Sequence, residues 1–222
     1  MKFLKLFSLT IISMLILGGC IPAKPAPSGK GAGPSMMYQA SYGYKMPMKY
    51  PLKVGIMTAR DSRPYKFFDE KDEFYKEPIP NGFSKMMYQE FKNSGLFKET
   101  VFIDEKLPKV LDAKALKFLA LEHNVDMILV SDLIDFNLLR KKEGKDMMIY
   151  TYNLIFSVKT FTQLIHLNSG TVVWADVVNR ESKILTDGSM SRGQLSELTA
   201  PGLKGLFSDM RQLISTAGLE MK

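Results

Sequence analysis

Few side chains in this 222-residue chain could do chemistry: one cysteine, two histidines and some short polar runs. Neither His123 nor His166 stands in a His-Glu-x-x-His frame or beside a second ligand pair, so their spacing predicts no metal site. His123 reads as a helix-end residue, where a protonated imidazole complements the helix dipole, and His166 as a neighbour of a hairpin turn. Asp69-Glu70-Lys71-Asp72-Glu73 gathers carboxylates but lacks the glycine and closing glutamate of a calcium loop, so it reads as solvated. There is no Gly-x-Ser-x-Gly turn and no phosphate-cradling glycine run. No catalytic residue, metal or cofactor is therefore expected. Asp61-Ser62-Arg63 is the most informative polar cluster, a carboxylate, hydroxyl and guanidinium at the end of a strand. Asp61 and Arg63 are candidate binding residues; the preferred reading is that they brace the loop by a fork-shaped ion pair.

The cysteine, Cys20, points elsewhere. Lys2 and Lys5 precede a run of Leu, Ile, Phe, Met and Ser over residues 6–17, too short to span a bilayer and patterned like a signal peptide. Leu17-Gly18-Gly19-Cys20 resembles a bacterial lipobox. That resemblance implies removal of residues 1–19, acylation of the Cys20 thiol (palmitate among the chains added) and a lipid-anchored N-terminus. A lipidated thiol leaves none for disulfides, redox chemistry or nucleophilic attack, so the exported domain must be held by its core. Ile21, in place of an aspartate, implies sorting to the periplasmic face of an outer membrane. The formal net charge is +7, but the basic residues are scattered and Arg140-Lys141-Lys142 is their longest run. In an exported chain this predicts no nucleic-acid partner, and at most weak attraction to anionic polymer or headgroups.

These groups need elements to hold them. Residues 20–49 read as the lipidated cysteine and a flexible tether, rich in Pro, Gly, Ala and Ser up to about residue 41. About 20 such residues span roughly 70 Å when extended. Tyr38, Tyr42, Tyr44, Met46 and Met48 form an aromatic and methionine-rich approach, expected to pack on the domain. A single periplasmic globular domain is expected over 50–222. A strand at 52–57 leads to the Asp61 loop. Asn81 is expected to cap a helix with Phe83, Met86, Met87 and Phe91 on one face, stopped by Asn93-Ser94-Gly95. A short strand at 100–103 follows, then a helix capped by Asp112 with Leu116 and Leu119 buried, then a strand from Val125 running toward Phe136. Residues 141–146 read as a charged turn. Alternation over 148–164 predicts a long strand with its even positions buried, and Asn168-Ser169-Gly170 a hairpin loop before a strand at 171–178. A last helix carries Leu203, Leu206, Phe207, Met210 and Ile214, with Pro201 in its first turn. The order β-α-β-α-β-β-β-α predicts an α/β (α+β) fold, one mixed sheet with helices packed on it.

Three phrases in this order resemble a known group. It comprises the amino-terminal domain of TolB, the curli secretion-channel lipoprotein and the activator lipoproteins of penicillin-binding proteins. The phrases are residues 83–97, 124–133 and 167–174, ending in Gly170-Thr171-Val172-Val173-Trp174. The resemblance implies a non-enzymatic outer-membrane lipoprotein, an assembly or scaffold component of an envelope machine for secretion, polysaccharide export or motor support. A tethered regulator of a cell-wall synthase is the alternative, and a lipid or lipopolysaccharide carrier a weaker one. Partners implied are the membrane, through the lipid, and an envelope protein or further copies of the chain. Met148–Val178 reads as a soluble core hairpin rather than a pore insert.

Overall fold

A computed structural model describes residues 50–64, 77–108, 110–146, 149–187 and 192–217. The lipobox, the tether and the acidic run at 69–73 lie outside the described residues. Six strands form one sheet: β1 (Tyr50–Thr58), β2 (Arg60–Asp61), β3 (Phe97–Lys106), β4 (Met127–Asp146), β5 (Ile149–His166) and β6 (Val172–Thr186). Three helices complete the fold: α1 (Ile79–Ser94), α2 (Ala113–His123) and α3 (Arg192–Thr216). The strand order is β3-β1-β4-β5-β6, with the two-residue β2 pairing β4. β1 is parallel to both β3 and β4, whereas β4, β5 and β6 are antiparallel. The expected mixed sheet, with helices packed on it, is the observed one. These elements all belong to one compact unit, Gly31–Lys222.

Each face of the sheet has its own core. Val54, Ile56, Leu129, Phe136, Phe156 and Leu164 pack with α1 and α3 on one face. Met57, Ile103, Ile128, Val130 and Ile165 pack with Leu116 and Leu119 of α2 on the other. From Leu154 the alternation read over 148–164 holds: Leu154, Phe156, Val158, Thr160, Thr162 and Leu164 are all buried, while Tyr152 is half-buried and the side chains of 148 and 150 lie outside those described. Burial of a Leu or Phe contributes about 1.5–3 kcal/mol, so these two cores carry a domain that has no disulfide to help. Gly170 has φ 71 in the hairpin loop, a left-handed conformation that glycine adopts without a Cβ clash.

Several boundaries differ from the sequence reading. α1 starts at Ile79 after Pro78, with no side-chain cap; Asn81 instead donates from Nδ2 to Asp104 Oδ1 at 2.9 Å. A proline in the first turn preorganises that start without a cap. Asp112 does cap α2, accepting the Ala115 N–H at 2.8 Å. β3 and β6 are longer than expected. Residues 141–146 are strand, not turn, because cross-strand pairs hold them: Arg140 lies 3.7 Å from the centre of the Tyr152 ring and Glu143 accepts from Asn153. α3 begins at Arg192, so Pro201 lies inside it. Ser182 donates its hydroxyl to the Leu198 carbonyl near this break, and Leu195 and Leu198 continue the buried stripe through it. Among the described residues, no helix is long and apolar enough to cross a membrane.

Candidate functional site

In sheets of this kind ligands favour the carboxyl ends of the parallel strands, and the Asp61 cluster lies there. β2 sets Arg60 and Asp61 opposite Asp132 and Leu133 of β4, and the Ser62 N–H bonds the Leu133 carbonyl at 3.0 Å. The Arg63 guanidinium is fully buried and forks onto Asp61, Nε to Oδ1 at 2.8 Å and Nη2 to Oδ2 at 3.0 Å. Asp61 Oδ1 also accepts the Arg63 N–H. Arg60 makes a second fork onto Asp132, with Nη2–Oδ2 at 2.8 Å. This side-chain hydrogen bond, against some desolvation, raises the Arg60 pKa above its ordinary value and keeps the guanidinium charged. Around them, Ser84 Oγ accepts the Ala59 N–H at 2.8 Å and donates to the Pro80 carbonyl at 2.7 Å. The cluster therefore ties β1, β2, β4 and α1 together, the geometry of a braced loop.

Three further arrangements come from the fold alone. Glu90 of α1 and Arg211 of α3 form an ion pair at 2.7 Å with side chains 1% and 4% exposed. Arg211 Nε and Glu90 Oε2 have no hydrogen-bond partner among the described residues. Glu105 of β3 meets Glu122 and His123 at the end of α2, one ligand atom from each within 4.8 Å of the others. Both glutamates are exposed, whereas His123 Nε2 is buried, 3.6 Å from Glu105 Oε1 and without a hydrogen-bond partner among the described residues. His166, by contrast, is occupied locally, with Nδ1 3.2 Å from Ser169 Oγ. Finally, an open groove of about 530 Å³ runs between Tyr88 and Lys92 of α1 and the 97–102 stretch of β3.

Sequence reasoning found the Asp61–Arg63 fork because its members are near neighbours. It missed the Glu90–Arg211 pair, the Glu105 cluster and the groove, whose members meet only when helix and strand pack. Gln89-Glu90 looks like a solvated helix face; the one available signal was its place beside Phe91 in the apolar stripe.

No protein-family model and no curated protein matches the sequence. Solved structures do resemble it. A protein from Xanthomonas campestris is 10% identical, with 83% of this chain and 95% of that chain covered and a TM-score of 0.49. A homolog of neuraminyllactose-binding hemagglutinin from Helicobacter pylori is 7% identical over 80% of this chain and 91% of that one, TM-score 0.49. An uncharacterised lipoprotein B from Nitrosomonas europaea is 10% identical over 80% and 96%, TM-score 0.37. Bacterial lipoproteins are thus among the structural neighbours. At such identities and scores, the likeness says nothing of this chain's function or partners.

Proposed function

We propose that this chain is a lipid-anchored bacterial envelope protein, held through Cys20 at the periplasmic face of the outer membrane and acting by binding rather than catalysis. The observation that carries the reading is Leu17-Gly18-Gly19-Cys20 at the end of a short apolar run, followed by Ile21. The domain supports it with two sheet edges: β3 and β6 each pair with only one strand among the described residues. Such edges present backbone donors and acceptors that another segment can use. An assembly or scaffold component of an envelope machine, of the kind the TolB-like group contains, uses surfaces of this sort. A tethered regulator of a cell-wall synthase is the second reading, favoured by the length of the segment between Cys20 and Tyr50.

Two measurements test this. Cells fed a clickable palmitate analogue should label the wild-type chain and not Cys20→Ser, and the variant should leave the membrane fraction. Equal labelling of both would sink the anchor. Light scattering on the purified domain then separates the two readings: a defined ring-sized oligomer supports assembly, and a monomer supports the tethered regulator.

A further inference from the structure

Three side chains able to hold a metal converge where the end of α2 meets β3: Glu105, Glu122 and His123. The fold explains why they meet. His123 follows Leu116 and Leu119 at helical spacing, so it continues the stripe by which α2 packs on the sheet. A histidine thus stands where that stripe calls for an apolar side chain. Its backbone is fixed: Asn124 closes the helix at φ 51, returning its N–H to the Ala120 carbonyl, and Val125 beyond it is buried. Asp126 then accepts the Lys53 N–H at 2.8 Å and donates its own to the Lys53 carbonyl at 2.9 Å, which ties the helix end to β1. Glu105 arrives from β3, just past Ile103 of the same core.

One ligand atom from each of the three lies within 4.8 Å of the others. His123 Nε2 is buried, has no hydrogen-bond partner among the described residues, and faces Glu105 Oε1 across 3.6 Å. That gap exceeds an N–H···O bond, for which about 2.9 Å is usual. It is close to the separation of two ligands on one zinc ion, since bonds of about 2.0–2.2 Å at a tetrahedral angle set them about 3.4 Å apart. The glutamates are exposed, so their side chains can rotate to close the remaining distance while the imidazole stays fixed. Two carboxylates this near also repel each other, and a protonated His123 offers only one positive charge to the pair. One imidazole and two carboxylates are a donor set suited to zinc, and three protein ligands leave a position for water.

We propose that Glu105, Glu122 and His123 bind one divalent transition-metal ion of the zinc type, which joins the end of α2 to β3 and secures the core on that face. Glu105 comes from a different element, which is why the motif spacing around His123 gives no sign of the site. The site is independent of the lipid anchor.

The untagged full-length chain in detergent, stripped with chelator and titrated with zinc chloride, tests the assignment. Calorimetry should show a single zinc ion bound per chain, and zinc should raise the thermal midpoint. Cobalt used in its place should give visible absorption bands that added zinc removes. His123→Ala should abolish binding. Glu105→Gln and Glu122→Gln should each weaken it by more than about tenfold, the loss that removing even an outer-shell partner brings. The glutamine variants change exposed side chains only, so they decide the matter even if His123→Ala does not fold. No zinc binding by the wild type, or equal affinity in the wild type and both glutamine variants, would overturn the proposal. So would equal affinity for magnesium, because oxygen ligands alone would then be holding the ion.

Discussion

At the scale of single residues, two ion pairs that look alike should behave differently. The Arg63 guanidinium is buried while Asp61 keeps 22% of its side chain exposed, so water can partly re-solvate Asp61 if the fork is lost. Arg63→Ala should cost about 2 kcal/mol, from the charged hydrogen bonds and the packing of the stem. A urea titration would read it, and an unchanged midpoint would refute the bracing role. Glu90 and Arg211 have no such outlet. Arg211→Met alone should cost about 3–5 kcal/mol by stranding a buried carboxylate, whereas Glu90→Gln with Arg211→Met should recover most of it. A double-mutant cycle with no coupling would refute this account. The Asp61 fork was legible because a carboxylate and a guanidinium two residues apart at a strand end need no tertiary knowledge. The Glu90–Arg211 pair was not, because its partners come from α1 and α3 and the sequence shows only two charges on two helices.

Among the elements, the element order along the chain and the α2 cap followed from periodicity and spacing, but the strand order within the sheet, the end of β4 and the start of α3 did not. Strand signals depend on a buried face, and residues 141–146 hold their pairing through cross-strand side chains instead, as in Glu143 accepting from Asn153 beside Arg140 over Tyr152. Pro201 suggested a helix start because proline is favoured in the first turn. Here the stripe of Leu195 and Leu198 on one side and Leu203 and Leu206 on the other carries the helix through. Gly202, next to that proline, lets the helix approach the sheet closely, since a Cβ there would sit 2.9 Å from Phe156 Cδ1 and 3.0 Å from Ser182 Oγ. Gly202→Val should push α3 off β5 and β6 and cost about 3 kcal/mol, seen as a lower thermal midpoint. Gly205→Ala should cost less, because its nearest neighbour is the long Arg180 side chain at 3.5 Å. That arginine, its pKa raised chiefly by its hydrogen bond to Asp209, can shift along the helix without leaving water. Equal losses at the two glycines would contradict this contact geometry.

For the molecule as a whole, the mixed sheet was legible in the sequence, while the reading of the N-terminus concerns residues outside those described. A signal segment would be written in local composition, whereas a surface groove is assembled from a strand and a helix that are separate in the chain, as Tyr88 and Phe102 show. The same distance between parts sets how the fold can form. β1 lies between β3 and β4, so its pairings wait for later chain, and its first residue is fastened to the last helix: the Tyr50 hydroxyl lies 3.3 Å from the Ile214 carbonyl and 3.4 Å from that of Ser215. Removing residues 192–222 should therefore abolish cooperative unfolding rather than trim one helix, a loss that calorimetry would register as a missing heat-absorption peak. Under the export proposed above, amino end first, this closure has a temporal meaning. The central strand arrives early and stays unfinished until the final turn of α3 emerges. Apolar surface is exposed throughout that interval, which makes the domain a client for any holding factor at the exit.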